Sequence, residues 1–127
     1  MTLLRKDIGR AGERAACRYL RRRGYRLLER NFTCSAGEID LVCYGDGCIV
    51  FVEVKTLTDD AEADPEDKIT PTKQRQVARA ARVWLAEHRE PECAYRFDAV
   101  SVVLPRKGRP RIRHIAEAFS ASVLPGL

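Results

Sequence analysis

An Asp-Gly pair at positions 46 and 47 constrains the fold of this chain more than any other short segment. Asp-Gly is favoured in two-residue hairpin turns, because both turn positions need a positive φ angle. Apolar, β-prone runs flank the pair, from Glu38 to Tyr44 and from Cys48 to Thr56. We therefore predict an antiparallel hairpin in which residues at equal distances from the turn face each other.

Acidic residues lie inside both predicted strands, at positions that a sheet normally gives to apolar side chains. The first strand contains Gly37-Glu38-Ile39-Asp40, and the second contains Phe51-Val52-Glu53-Val54-Lys55. The predicted register places Asp40 opposite Glu53, with Lys55 two residues farther along the same face. Two carboxylates and an ammonium group on one face favour a divalent-metal site with a general base beside it.

The bulk properties fit one ordinary domain. The chain has 127 residues, of which 45% are hydrophobic and 32% charged. We assign residues 1–127 to a single domain, with an acidic loop at about 58–68 and a basic C-terminal segment at 105–127. No apolar stretch approaches the ~20 residues of a membrane span, and residues 1–10 lack the apolar core of a signal peptide. We therefore expect a cytoplasmic protein with no membrane partner.

Charge is distributed unevenly along the chain, whose formal net charge is +5. Residues 5–30 contain ten Arg or Lys residues, residues 59–68 contain six acids, and basic residues return over 73–89 and 106–113. Such patches favour a polyanionic partner, with nucleic acid as the first candidate. A solvated, arginine-rich surface with no partner is the alternative.

The five cysteines are expected to be reduced thiols packed as small apolar side chains, because the chain carries no export signal. Zinc binding by Cys34, Cys43 and Cys48 is rejected, since their spacing matches no paired Cys-x-x-Cys arrangement. His88 and His114 also lack a partner at ligand spacing, so both are assigned structural or surface roles.

The first predicted helix carries a basic stripe. It runs from a cap at Asp7 to about Arg23, where Gly24 ends it. Glu13 has small or apolar helical neighbours, so a second element could approach closely and partly bury it; an Arg-paired surface carboxylate is the alternative. The basic stripe comprises Arg10, Arg14, Arg18, Arg21 and Arg22.

The remaining elements complete an α/β domain. Strands are predicted at 25–33 and 95–103, with a short last strand at 111–115. A second helix opens at Thr70 or Thr72 with Pro71 and runs to about His88. The resulting order, α-β-β-β-α-β before the short last strand, predicts a mixed central sheet flanked by helices.

The acids could support phosphodiester hydrolysis. Mg²⁺ prefers hard oxygen ligands, usually one or two carboxylates with water and substrate phosphate. Asp40 and Glu53 would supply the carboxylates, and the carbonyl of Val54 a third protein ligand. Lys55 would orient or help to deprotonate the attacking water, and Glu13 could bind the metal through water or take a second metal.

Basic residues near these acids are candidates for holding the substrate. Lys73 and Gln74, at the start of the second helix, could bind the phosphate backbone near a helix N-terminus, and Arg10 and Arg14 are further candidates for nucleic-acid binding. A slip of one residue in the hairpin would give the role of Asp40 to Glu38, but the Asp-Gly turn favours Asp40.

Taken together, these segments are similar to the YraN-like family of predicted endonucleases, within the PD-(D/E)xK restriction-endonuclease-like superfamily. Archaeal Holliday-junction resolvases are its better-understood relatives. The resemblance covers residues 5 to about 104. Its matching segments are 9–16, Arg30-Asn31-Phe32, 37–41, 51–56, 70–75 and Arg96-Phe97-Asp98.

The resemblance implies a restriction-endonuclease-like core in which Asp40, Glu53 and Lys55 are catalytic and Glu13 supports them. It also implies dependence on Mg²⁺ or Mn²⁺ and a nucleic-acid substrate, which we take to be DNA, with branched or damaged DNA among the candidates. The resolvase relatives act as dimers, so a homodimer is a possible assembly. Two alternatives stay open: a catalytically silent nucleic-acid-binding module, and a scaffold for protein partners. The acidic loop would repel a phosphate backbone unless it moves or binds cations.

Overall fold

The computed structural model describes residues 5–58, 69–89 and 93–120. Its seven elements follow the order α-β-β-β-α-β-β, which confirms the predicted mixed α/β fold. The expected acidic loop, apart from Thr58, lies outside the described residues, as does the end of the basic C-terminal segment. The elements are α1 (Arg5–Arg22), β1 (Arg26–Cys34), β2 (Gly37–Gly45), β3 (Cys48–Thr58), α2 (Pro71–Glu87), β4 (Tyr95–Leu104) and β5 (Arg111–Phe119).

The five strands form one sheet in the order β1-β2-β3-β4-β5. All neighbours are antiparallel except β3 and β4, which are parallel. Parallel strands need a long crossover, and α2 lies within this one. The arrangement makes β3 the central strand, paired on both sides.

The hairpin of β2 and β3 has the predicted register. Leu41 pairs with Val52 and Gly45 pairs with Cys48 across the turn. Asp46 and Gly47 have φ angles of +53° and +78°, as a two-residue hairpin turn with positive φ at both positions requires. The Asp-Gly pair therefore predicts this pairing correctly.

The two helices cover opposite faces of the sheet. Val50 and Val52 of β3 pack with Ala16, Cys17 and Leu20 of α1. On the other face, Ile49 and Phe51 pack with Val77, Ala81 and Trp84 of α2. Side chains alternate along a strand, so Glu53 and Lys55 follow Phe51 on the α2 face.

The helix ends differ in part from the sequence-based expectation. Helix α1 begins at Arg5, so Asp7 lies in its first turn, where its charge favours the helix dipole, and is not the cap. Gly24 follows the helix with a φ angle of +91°, a conformation that glycine adopts without strain. Thr70 caps α2 by accepting a 3.1 Å hydrogen bond from the backbone N–H of Lys73.

Strand β5 extends to Phe119, four residues beyond the expected end at Ile115. The ring of Phe119 stacks on Phe97 of β4 with centroids 4.9 Å apart, and this packing holds the extra length in place. Within the described ranges, no helix combines the length and apolar character that crossing a membrane requires. All five cysteines are free thiols.

Candidate active site

Strands β2 and β3 separate at a fork immediately beyond the pair Leu41–Val52. The predicted register holds up to this pair, but the ladder ends one position before Asp40 and Glu53, which are therefore not paired as backbone partners. The backbone N–H of Val54 instead donates a 2.8 Å hydrogen bond to Oδ2 of Asp40. The Asp40 side chain thereby replaces the β2 backbone as the partner of β3, since a buried N–H needs an acceptor.

A local distortion of β2 places Asp40 at this fork. Ile39 packs on the α2 face and Leu41 on the α1 face, although two residues separated by one position normally share a face. The neighbouring β1 residue between the flanking pairs, Asn31, has a φ angle of +51°. The regular alternation of side chains along β2 is therefore broken at Asp40, which lies between Ile39 and Leu41.

Glu53 is the most perturbed acid of the site. Its side chain is only 12% exposed, and Nζ of Lys73 lies 3.7 Å from its Oε1. The other oxygen, Oε2, is buried without a hydrogen-bond partner among the described residues. Burial, followed by the charge of Asp40, raises the pKa of Glu53 to about 8, although Lys73 opposes the shift.

Asp40 shares this environment. Burial raises its pKa above the ordinary value, while the hydrogen bond from Val54 partly offsets that effect. Two adjacent buried carboxyl groups with raised pKa values bind a proton or a cation more readily than they bear two negative charges. The pair is therefore suited to holding a cation.

Glu13 reaches the same acidic region from α1. Partial burial, and then the charges of Asp40 and Glu38, raise its pKa. Gly12 brings the helix close to β3 at this point, because a Cβ atom there would overlap the side chain of Thr56. The structure thus places Glu13 half-buried beside the sheet rather than in a surface ion pair.

Lys55 and Val54 lie at the same end of β3. Lys55 is half-buried, lies two residues beyond Glu53, and pairs in register with Ser101 of β4. None of the ion pairs between described residues includes Lys55. Its role beside the acids stays a prediction, which rests on strand alternation from Glu53.

The four residues predicted to contact nucleic acid have different surroundings. Lys73 contacts Glu53 directly, so it is part of the acidic site. The side-chain amide of Gln74 donates a 3.0 Å hydrogen bond to the carbonyl of Ile69, which anchors the chain before α2. Arg10 and Arg14 are exposed on α1.

A buried polar network was not predicted from the sequence. Asp98 is fully buried and accepts bonds of 2.9 and 3.1 Å from Nε and Nη2 of Arg96. Its other contacts are Nε2 of His114 at 2.7 Å and the backbone N–H of Glu117 at 3.0 Å. Although burial acts in the opposite direction, the bonds from His114 and Arg96 lower the pKa of Asp98.

The network extends to the hairpin turn. Nη2 of Arg96 donates to the hydroxyl of Tyr25 at 2.8 Å and to Asp46 at 3.1 Å, and the Tyr25 hydroxyl donates to Asp46 at 2.6 Å. It therefore ties β1, the turn, β4 and β5 together. The signal that could have revealed it is the pair Arg96 and Asp98, two charges on one face of a predicted buried strand.

The acids at the fork fit a hard divalent cation. No group of three or more His, Cys, Asp or Glu side chains converges on one point in the described part of the chain. Mg²⁺ does not need such a cage, because it usually keeps several waters and takes one or two carboxylates. Asp40 and Glu53 supply that number, and Oε2 of Glu53, which makes no hydrogen bond with the described residues, could bind the ion.

The family described as "Uncharacterised protein family UPF0102" matches residues 12–102, which include the fork, Glu13 and Lys73. The chain belongs to this family. Among UPF0102 relatives, the protein of Geobacter metallireducens is 44% identical over 119 residues, covering 94% of this chain and 97% of the relative. That of Anaeromyxobacter dehalogenans is 42% identical over 122 residues, covering 96% and 90%. That of Syntrophomonas wolfei is 42% identical over 118 residues, covering 91% and 100%.

The matched UPF0102 segment contains all the residues of the fork. It also contains Tyr25, Asp46, Arg96 and Asp98 of the buried network, whereas His114 and Glu117 of that network lie beyond it.

Proposed function

We propose that this UPF0102 protein is a divalent-metal-dependent nuclease that hydrolyses phosphodiester bonds in DNA, including branched or damaged DNA. The observation that carries the proposal is the buried carboxylate pair at the fork. The backbone N–H of Val54 fixes Asp40, and Glu53 has a buried oxygen that accepts no hydrogen bond from a described residue. The resemblance to the PD-(D/E)xK superfamily supports the same assignment.

Asp40, Glu53 and the carbonyl of Val54 would hold Mg²⁺ or Mn²⁺. When bound, the ion would lower the pKa of water and neutralise charge that develops on the phosphate. The hydrogen bond from Val54 keeps the Asp40 carboxylate in one orientation, so little ordering is needed when the ion binds.

Lys55 and Glu13 would act on the nucleophile. Lys55 orients the attacking water and receives or relays its proton, while its ammonium form stabilises the anionic phosphate. The water oxygen forms a new bond to phosphorus as Lys55 receives its proton, the bond to the departing deoxyribose oxygen breaks, and a solvent water protonates that oxygen. Glu13, half-buried beside Asp40, positions a second water.

Lys73 would bind the phosphate. Its ammonium group contacts Glu53 across 3.7 Å, at the start of α2. If Asp40 and Glu53 held a cation, the contact between Lys73 and Glu53 would weaken, and Lys73 could then turn to an oxygen of the substrate. A lysine at a helix N-terminus is well placed for this role.

The same contact favours a second candidate function, a nucleic-acid-binding module without catalysis. Here Lys73 serves as the permanent cation of Glu53, and no metal is needed to compensate the buried acid. The fork would then be a structural ion pair, and the basic residues alone would act in binding.

A cleavage assay separates the two functions. Duplex, single-stranded and four-way-junction DNA are incubated with the protein in Mg²⁺, Mn²⁺ or EDTA, beside Glu53→Gln, Lys55→Ala and the exposed control Glu87→Gln. If the protein is a nuclease that uses this site, the wild type and the control should cleave DNA in a metal-dependent way, and both site variants should lose that cleavage. Binding without cleavage under every metal condition would support the binding module, and cleavage that survives both site variants would exclude this site.

Metal binding gives a readout that does not depend on activity. Calorimetric titration with Mn²⁺ should show a site in the wild type that Glu53→Gln weakens at least ~tenfold, as loss of one charged ligand implies. Equal affinity in the two proteins would show that the fork does not hold the ion.

A further inference from the structure

A groove beside α1 is lined almost entirely by arginines. Its volume is about 390 Å³, and its lining residues are Arg14, Cys17, Arg18, Arg21, Arg22 and Arg30. Five of the six carry a guanidinium group, which stays positively charged in proteins. No acidic residue is among the described residues that line the groove.

The basic character continues over the other side of the helix. A second depression shares Arg18 and Arg22 with the groove and is also lined by Arg109 and Tyr19. We call the combined area the α1 basic surface, defined by Arg14, Arg18, Arg21, Arg22, Arg30 and Arg109.

The arginines of the α1 basic surface take no part in the ion pairs of the described residues, none of which includes any of the six. Nη2 of Arg30 makes a long polar contact, 3.8 Å, with the sulfur of Cys17. Arg96, by contrast, is paired with both Asp98 and Asp46. Like charges that are held together without partners form a field suited to a polyanion.

The spacing of these arginines suits a phosphate backbone. Arg14 and Arg22 are separated by roughly 12 Å along the helix, at ~1.5 Å per residue. Phosphates on one strand of a duplex recur every ~3.4 Å along its axis. The helix therefore spans about four successive phosphates, which is more than one isolated anion would use.

The lining also indicates a duplex rather than a single strand. Proteins that bind single strands usually stack bases on exposed aromatic rings. The arginine groove has no aromatic residue, and Tyr19 in the second depression is half-buried with the guanidinium of Arg23 over its ring at 4.8 Å. Contacts would go to phosphates alone, which is sequence-independent recognition.

The α1 basic surface begins at the acidic site. Arg14 follows Glu13 in the chain, and the charge of Arg30 acts on the Glu13 carboxyl. We propose that the α1 basic surface is a binding site for the phosphodiester backbone of duplex DNA, which holds the duplex beside the fork. The proposal rests on the proposed function for the identity of the polyanion as DNA.

Binding in EDTA tests the proposal without cleavage. The triple variant Arg18→Gln/Arg21→Gln/Arg22→Gln is compared with Arg79→Gln/Arg82→Gln/Arg89→Gln, which removes three exposed arginines elsewhere. We expect the first variant to bind a 30-base-pair duplex at least ~tenfold more weakly and to lower the slope of log affinity against log salt by about 2–3, at ~0.9 per phosphate contact. The control should change affinity less than ~threefold, and both should keep the wild-type circular dichroism spectrum and Tm.

Equal losses in the two variants, or no loss in the first, would overturn the proposal. Equal affinity for a single strand of the same length would overturn the duplex assignment. Tighter binding of duplex RNA or of polyglutamate than of duplex DNA would show that the ligand of this surface is a polyanion other than DNA.

Cleavage by the same variants separates this proposal from the proposed function. If the wild type never cleaves DNA but the α1 variant alone loses binding, the binding role of the α1 basic surface is supported and the proposed nuclease activity is refuted. If the wild type cleaves and the α1 variant binds and cleaves equally well, the nuclease activity is supported and the binding role of the α1 basic surface is refuted.

Discussion

The carboxylate of Asp40 accepts a 2.8 Å hydrogen bond from the backbone N–H of Val54, where β2 and β3 separate. This bond ends the ladder and fixes one of the two buried acids of the site in the same step. Chain pairing and the geometry of the candidate metal site therefore depend on one contact. A substitution of Asp40 should therefore affect stability through the lost hydrogen bond to Val54, and function through the lost charge at the candidate metal site.

Two variants of Asp40 should distinguish its hydrogen bond from its charge. Asp40→Asn keeps an acceptor for Val54 and removes a buried charge, so we expect metal-free stability equal to or above that of the wild type. Asp40→Ala leaves the Val54 N–H without a partner, which costs about 1–3 kcal/mol relative to Asp40→Asn. Urea unfolding in EDTA measures the difference. Equal stability of the two variants would show that water replaces the carboxylate, and both variants should lose metal-dependent cleavage.

Glu53 should make the metal-free protein less stable as the pH rises. Its pKa is about 8 in the folded protein and near 4.5 when unperturbed, so folding favours the protonated form. Stability should be highest below pH 4.5 with respect to this group, fall from there to about pH 8, and then level off. The total effect is on the order of a few kcal/mol.

Unfolding free energies of the wild type and Glu53→Gln at pH 5 and pH 8 in EDTA check this expectation. The wild type should lose more stability between the two pH values, since other titrating groups are common to both proteins. Glu87→Gln should follow the wild type. At pH 8, Mg²⁺ should restore stability to the wild type only. Parallel pH profiles for wild type and Glu53→Gln would contradict the shifted pKa.

The hairpin could be predicted from the sequence because a two-residue turn leaves little freedom in the pairing that follows it. That reasoning is correct from Gly45 as far as Leu41. It fails at Asp40, because the distortion there accompanies a positive φ angle at Asn31 on the neighbouring strand. No local sequence pattern around Asp40 predicts the end of the ladder at this position, because it depends on how β1, β2 and β3 pack together.

Contacts between distant segments were also beyond sequence reasoning. Lys73 was predicted to bind the phosphate backbone, but its contact with Glu53 depends on where the crossover places the start of α2. His114 was assigned a structural or surface role, and the structure pairs it with Asp98, 16 residues earlier, through the antiparallel pairing of β4 and β5. Residue type and alternation predict the face of a side chain, but not its partner on another strand.

The buried network should be a major source of stability. Arg96→Ala leaves Asp98 buried without its bidentate partner, and breaking such a pair typically costs ~3–5 kcal/mol. Thermal or urea unfolding measures the loss, with the exposed Arg79→Ala as a control that should change stability by less than ~0.5 kcal/mol. A loss below ~1 kcal/mol for Arg96→Ala would show that His114 and water suffice to hold the charge of Asp98.

The same network should make the protein sensitive to acid. The pKa of Asp98 lies below its ordinary value of 3.8, so its charged form stabilises the fold at neutral pH. That contribution is complete above the ordinary pKa and is lost as the pH falls through the lower, folded-state pKa. Asp98→Asn should therefore be less stable than the wild type at pH 6, and the gap should narrow below pH 4. A gap independent of pH would show that the charge of Asp98 is not responsible.

Two glycines of α1 should respond in opposite ways to the same substitution. Nothing lies within 4 Å of a Cβ atom built on Gly9, so Gly9→Ala should stabilise the helix by about 0.5–1 kcal/mol. At Gly12 the added methyl group would overlap Thr56, so Gly12→Ala should destabilise the protein by about 1–3 kcal/mol and move Glu13 away from β3. Unfolding measurements give the sign of the stability change for each substitution. Cleavage assays should show lower activity for Gly12→Ala alone. Stabilisation by both substitutions would mean that α1 does not approach β3 closely enough to hold Glu13 at the acidic site.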